Sequence, residues 1–187
     1  MLKGMNIGAG PVHLETAYNI EWENSDFAQT EPAAGWTLEK LRDFTKPMDD
    51  IQDNSIDYIV AWHIIEHVGL HQNEGLTREW FRVLKPGGKL FIACPDIVKI
   101  ARKIVEGGAP WNYPFIMAVN LFGPYNGFDG DYHKWGYSEA SLAELLGRVG
   151  FRQAITLDPG MLSQEIGTIN TEKIGFADYN VQLEAIK

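Results

Sequence analysis

Four side chains in this sequence have the types and spacing for proton chemistry: His63, Glu66 and His67 within five residues, and His133 farther on. A neutral imidazole can take a proton from a reacting hydroxyl near neutral pH, and a carboxylate can do the same or orient its neighbour. Each has a plainer role open to it. Glu66-His67 can orient a turn through hydrogen bonds, and His133, two positions after Asp131, can be a hydrogen-bonded structural histidine. A second candidate segment is Met5-Asn6-Ile7-Gly8-Ala9-Gly10, an apolar strand running into a G-x-G turn. Missing Cβ atoms at such a turn let backbone N–H groups approach a ligand closely, so Ile7, Gly8, Ala9 and Gly10 are candidate ligand contacts.

The G-x-G turn alone fits a structural turn, a dinucleotide site or a site for S-adenosylmethionine (SAM). The segment after the turn narrows the choice. Only Pro11–Tyr18 separate the turn from the next apolar segment, Asn19-Ile20-Glu21-Trp22, which predicts a very short first helix. A carboxylate at the end of a second strand accepts hydrogen bonds from both ribose hydroxyls, and Glu21 is expected there, with a solvated strand-end charge as the alternative. A nicotinamide site calls for a third glycine and an acid about 20 residues on. The third glycine is missing and Glu21 comes early, which disfavours a nicotinamide-dependent oxidoreductase.

These groups need a scaffold, and the apolar runs supply one. Met5–Ile7, Ile56–Ala61 and Leu90–Cys94 are short and bounded by turns, as in strands buried on both faces of a parallel sheet. Thr77 is expected to cap a helix carrying Trp80, Phe81 and Leu84, which Lys85-Pro86-Gly87-Gly88 ends. Asp96 caps the next, with Ile97, Ile100, Ala101, Ile104 and Val105 as its core stripe, and Ser138 a third, with Leu142, Leu145, Leu146 and Val149. Arg152–Leu157 and Val181–Ile186 read as two closing strands. The expected fold is therefore α/β, a doubly wound, mainly parallel Rossmann-like sheet with an antiparallel C-terminal edge. Trp62 and His63 then emerge at the carboxyl end of the fourth strand, where ligands bind in such sheets. Trp62 either faces a cation through its ring or packs into the core. Asp57, at the opposite end of that strand, is structural.

The order of segments resembles the small class I SAM-dependent methyltransferases. The resemblance runs through NIGAG, NIEW, RDF at Arg42-Asp43-Phe44, DNSIDYIVAWHIIEHV from Asp53, EWFRVLKPGGKLFIACPD from Glu79 and HKWGYSEASLAELLGRVGF from His133. It implies SAM as cofactor, with Gly8 and Gly10 facing the methionine part, Glu21 holding the ribose, and Asp43 and Phe44 bordering the adenine. Two departures concern the loop geometry: Asn6 stands where many relatives have an acid, and Val12 where many have glycine.

The 187 residues suit one domain, 1–187, with an aromatic and glycine-rich insert at about 107–136 expected to form an acceptor pocket and lid, or else a dimer contact. The net charge of −9 disfavours nucleic-acid partners. No apolar run approaches the roughly 20 residues of a membrane span, and no signal peptide is evident, so the expected location is cytoplasmic. The single Cys94 lacks companion ligands and reads as a small hydrophobe, and no metal site is expected. The function expected is in-line transfer of a methyl group from SAM to oxygen, nitrogen or carbon of a small-molecule acceptor, with His133, His63, His67 and Glu66 as candidate acid–base groups. The alternative is a SAM- or nucleoside-binding module without transferase activity. A homodimer is compatible with either.

Overall fold

The computed structural model describes residues 1–9, 14, 19–26, 40–106, 118–123, 129–157, 166 and 179–187. Seven strands form one sheet: β1 (Leu2–Ile7), β2 (Ile20–Asp26), β3 (Lys40–Leu41), β4 (Ile56–Trp62), β5 (Leu84–Pro95), β6 (Arg152–Thr156) and β7 (Asn180–Ile186). Their order is β3-β2-β1-β4-β5-β7-β6. The first five pair in parallel, and β7 runs antiparallel to both β5 and β6. This is the expected mixed sheet, with one refinement: β7, the later strand of the closing pair, lies inside β6.

The period-2 alternation of the strands divides the core between the two faces. Ile59, Ala61, Leu90, Ile92 and Cys94 face one side, where they pack with helices α1 (Leu70–Val83) and α3 (Glu139–Val149). Val60, Trp62, Phe91 and Ala93 face the other, with Ile20, Trp22 and Leu157. Cys94 is part of the first core layer and wholly buried. Burial pushes its thiol well above the ordinary range, so it is inert.

The helix caps at Asp96 and Ser138 are as expected. Asp96 Oδ1 accepts from the N–H groups of Val98 and Lys99 at the start of α2 (Ile97–Glu106). Ser138 and Ser141 form a reciprocal capping box at α3. Two other expectations are corrected. Thr77 does not begin a helix, because α1 already starts at Leu70; its hydroxyl donates back to the Asn73 carbonyl at 2.9 Å, and both residues are buried. The apolar stripe of α2 is not core throughout, since only Ile100 is buried while Ile97, Ala101 and Val105 are exposed. The expected short first helix lies outside the described residues.

Ionic contacts hold the far end of the sheet. Asp57 Oδ2 accepts from Lys3 N–H and from Lys85 Nζ, which ties the starts of β1, β4 and β5. Arg82, near the end of α1, donates to the carbonyls of Met48 and Ile51 and to Glu79 and Asp53. Arg82 in turn holds the Glu79 carboxyl below its usual range, outweighing the opposing effect of burial. A depressed carboxylate stabilises the fold above its unfolded pKa of about 4.3, and that contribution is lost as pH falls through the folded value. Arg82→Met is therefore expected to cost about 1–3 kcal/mol at pH 7. Its stability should also fall less steeply than the parent's below about pH 4.3. Urea unfolding at neutral and acid pH checks both.

Candidate active site

Register places one row of residues at the carboxyl edge. Ile7 pairs with Ser25 of β2 on one side and with Ala61 of β4 on the other, so the next residues, Gly8, Asp26 and Trp62, stand side by side. Gly8 adopts a left-handed conformation at φ 71°. A Cβ built on it would lie 2.0 Å from Ile64 Cγ1, so the turn presses directly on the segment after β4. The N–H groups of Gly8 and Ala9 both donate to the Ser25 carbonyl, at 2.9 and 3.0 Å. They close the turn against β2 rather than pointing at a ligand, which revises the expected use of these donors. Gly10 lies outside the described residues.

Asn6, at the position where many relatives carry an acid, works through the neighbouring strand. Its amide donates to Asn24 Oδ1 at 2.9 Å, and Asn24 binds both the N–H and the carbonyl of Leu14. All three residues are buried, so this amide pair anchors the chain that leaves the glycine turn without placing a charge in the core.

Glu21 is not at the end of the second strand. It is exposed, one residue into β2 and paired with Lys3, because the strand continues through Glu23, Asn24 and Ser25 to Asp26. The carboxylate at that end is Asp26, beside Gly8. Sequence reasoning misses it because those polar residues interrupt the apolar run. An unbroken stretch from Ile20 to Asp26 without proline or glycine is the available signal.

Asp43 and Phe44 follow β3 and part company. Asp43 is exposed, and its carboxylate accepts from Thr45 and pairs with Lys46, contacts that hold it below the usual range. Phe44 is buried in the core with Met48 and so does not lie open to a flat ligand. Arg42 beside them is itself buried, and its guanidinium is bound by Glu23 and Asp50. Trp62 is also mostly buried, packed with Leu14 and Trp22, and its indole N–H has no hydrogen-bond partner.

The structure brings the four candidate proton-transfer residues together. A 3-10 turn, Ile65–His67, follows β4 and swings Glu66 inward until its side chain is only 1% exposed. Glu66 Oε1 meets His63 Nδ1 at 2.9 Å, and His63 Nε2 receives the Asn180 amide at 3.1 Å. With Nε2 accepting, the His63 proton resides on Nδ1 and is donated to Glu66, so neither ring nitrogen is free. The Glu66 backbone carbonyl accepts from Lys134 and Trp135, which draws the neighbouring His133 against His67; the two rings meet edge to face with centroids 4.9 Å apart.

His67 Nδ1 donates to the Tyr132 carbonyl at 3.2 Å, and His133 Nδ1 to the Asn120 carbonyl at 3.1 Å. A ring whose Nδ1 bears the proton keeps a lone pair on Nε2. Burial lowers the pKa of His133, which favours the neutral ring. Burial raises that of Glu66, but the hydrogen bond from His63 and the nearby imidazoles outweigh it and hold the carboxyl ionised. Oε2 of Glu66 has no hydrogen-bond partner among the described residues.

Residues 107–117 and 124–128 of the aromatic insert lie outside the described residues, so the expected pocket and lid do too. The short helical turn Ala118–Phe122 and residues Asp129–Gly136 are described. Gly123, within the insert, is a close-approach glycine: at φ 85°, a Cβ there would lie 1.9 Å from the Asp131 carbonyl oxygen.

A family model described as "Methyltransferase domain" matches residues 16–92, from ahead of β2 into β5. The matched stretch, about two-fifths of the chain, is similar to that domain. The chain as a whole shares the fold of SAM-dependent methyltransferases of known structure. A SAM-dependent methyltransferase from Archaeoglobus fulgidus superposes with TM-score 0.63 at 15% identity, over 100% of this chain and 86% of that one. A putative O-methyltransferase from Nostoc punctiforme gives 0.60 at 15% identity, over 100% of this chain and 51% of its own. The Haemonchus contortus phosphoethanolamine N-methyltransferase 2 in complex with SAM gives 0.59 at 15% identity, over 100% and 48%. The chain thus spans about half the length of the last two proteins. No curated protein sequence matches it. Among the described residues, no helix is long and apolar enough to cross a membrane.

The tight contact at Gly8 generates a test of the edge. Gly8→Ala forces both an unfavourable left-handed alanine and a clash with Ile64, and should cost about 1–3 kcal/mol or more. Urea unfolding of the variant checks it, and the packed Ile64→Ala partner should recover part of the loss in the double variant.

Proposed function

We propose that this chain is a methyltransferase that binds SAM across the ends of β1, β2 and β3 and transfers its methyl group to a small-molecule acceptor seated by the Glu66–His67–His133 cluster. The observation that carries the reading is the register at the carboxyl edge, which sets the Gly8 turn, Asp26 and the end of β4 in one row. The residues present fit the cofactor. The glycine turn brings the end of β1 up to the end of β2, Asp26 offers a carboxylate to the ribose hydroxyls, and Asp43 is an exposed acceptor for the adenine amino group. When bound, SAM supplies an activated methyl group on a cationic sulfur.

The chain's own part is binding, orientation and proton handling. The net charge of −9 favours a cationic ligand at long range. The lone pairs on His67 Nε2 and His133 Nε2 are placed to take the acceptor's proton, while His63, with both nitrogens engaged, positions Glu66. Alignment of acceptor and methyl group can contribute about 7–11 kcal/mol in favourable cases. A well-placed base adds about 10²–10⁴-fold.

SAM and S-adenosylhomocysteine are each expected to raise the melting temperature, while NAD leaves it unchanged. Asp26→Ala should weaken SAM binding by about 10- to 150-fold, the loss of a charged hydrogen-bonding partner, whereas Glu21→Ala should leave it near the parent value. Calorimetric titration of both variants is the measurement, and the opposite pattern would refute the edge assignment. His133→Ala should retain SAM affinity and lower turnover by about 10²-fold or more. Parent-level turnover in a folded variant would remove His133 from the mechanism.

A further inference from the structure

Three acceptor groups converge after β4 with no donor among the described residues between them. One ligand atom from each of Glu66, His67 and His133 lies within 4.8 Å of the others. Glu66 Oε2 is buried and has no partner, and the Nδ1 atoms of both histidines are occupied by backbone carbonyls. A buried carboxylate oxygen facing lone pairs is costly unless a cation joins it. We propose that Glu66 Oε2, His67 Nε2 and His133 Nε2 bind a divalent first-row transition-metal ion of the zinc class.

The surrounding contacts are those of a built site. Metal-ligating histidines donate their second ring N–H to a carbonyl or carboxylate, which fixes the tautomer and aims the other nitrogen. Tyr132 and Asn120 carbonyls serve His67 and His133 in this way. His63 occupies Oε1 of Glu66 and is itself held by Asn180, leaving Oε2 as the ligand oxygen. A tetrahedral ion about 2.1 Å from each ligand sets them about 3.4 Å apart, so ligand atoms that now lie within 4.8 Å of one another draw together on binding. Two imidazoles and one carboxylate select a transition ion over magnesium, which prefers oxygen ligands. They also leave at least one coordination position open. With the ion bound, neither imidazole lone pair is available as a base, so proton transfer to His67 or His133 belongs to the ion-free site. Use of the open position by an oxygen of the acceptor rests on the methyl-transfer reading, whereas ion binding does not.

The test uses the full chain after removal of metals with chelator. Titration with Co²⁺ should give one equivalent bound with the visible absorption of a low-coordinate site, displaced one for one by Zn²⁺. His67→Ala, His133→Ala and the isosteric Glu66→Gln should each weaken Zn²⁺ binding by about 100-fold or more. His71→Ala, exposed on α1 and outside the cluster, should bind as the parent does. Circular dichroism checks that each variant is folded, and His67→Gln or His133→Gln replaces an alanine variant that is not. Absence of stoichiometric binding, or parent-level affinity in the folded His67 and His133 variants, overturns the proposal. The SAM melting shift is measured on the same ion-free samples. An ion site without a SAM response refutes only the methyl-transfer reading, and a SAM response without ion binding refutes only the metal.

Discussion

The Glu66 carboxylate is the constraint around which the carboxyl edge is built. A charge this deeply buried persists only where its surroundings compensate it. His63 does so directly, and the ring is locked by Asn180 at the start of β7. The backbone of the same residue receives the N–H groups of Lys134 and Trp135. One residue thus fastens the end of β4 to the strand beyond β5 and to a segment nearly seventy positions later in the chain. The site's geometry results from meeting that residue's electrostatic and hydrogen-bonding needs.

The opposite end of the sheet uses charge differently. Asp57, Arg82 and Glu79 are neutralised in pairs and networks with partners close at hand. Their ionic groups staple strand starts and helix ends. At the carboxyl edge the buried Glu66 is compensated differently: among the described residues its side chain is hydrogen-bonded by the His63 imidazole. One end is stapled by satisfied charge, whereas Glu66 Oε2 at the other is an acceptor that a ligand can complete.

Where a signal is local, the sequence carries it. The alternation of Ile56–Ala61 and Leu90–Cys94, the Asp96 cap, and the Ser138 cap with its Leu142, Leu145, Leu146 and Val149 stripe all arise from neighbours a few residues apart. Where burial depends on a distant partner, the sequence misleads. Asn24 enters the core because Asn6 and Leu14 satisfy it, so β2 runs farther than its apolar residues indicate and ends at Asp26 rather than near Glu21. Asn73 and Thr77 are buried polar residues of α1, the former paired with the Tyr137 hydroxyl, and they hide the first turns of that helix from a hydrophobic pattern. His63, Glu66 and His67 are legible as a group because they are adjacent. That His133 joins them, with its Nδ1 turned to Asn120, is a product of topology.

The position of β7 between β5 and β6 governs the order in which the fold can close. As the chain emerges during synthesis, β5 has β4 on one side, while its other edge must wait until residues 180–186 are available. Strand β6 appears sooner but has no place in the sheet without β7. The closing pair therefore joins as one late, long-range step. Until then Phe91, Ile92 and Ala93 present an open strand edge, so nascent chains halted before β7 are the forms with the greatest need of chaperone protection against intermolecular pairing.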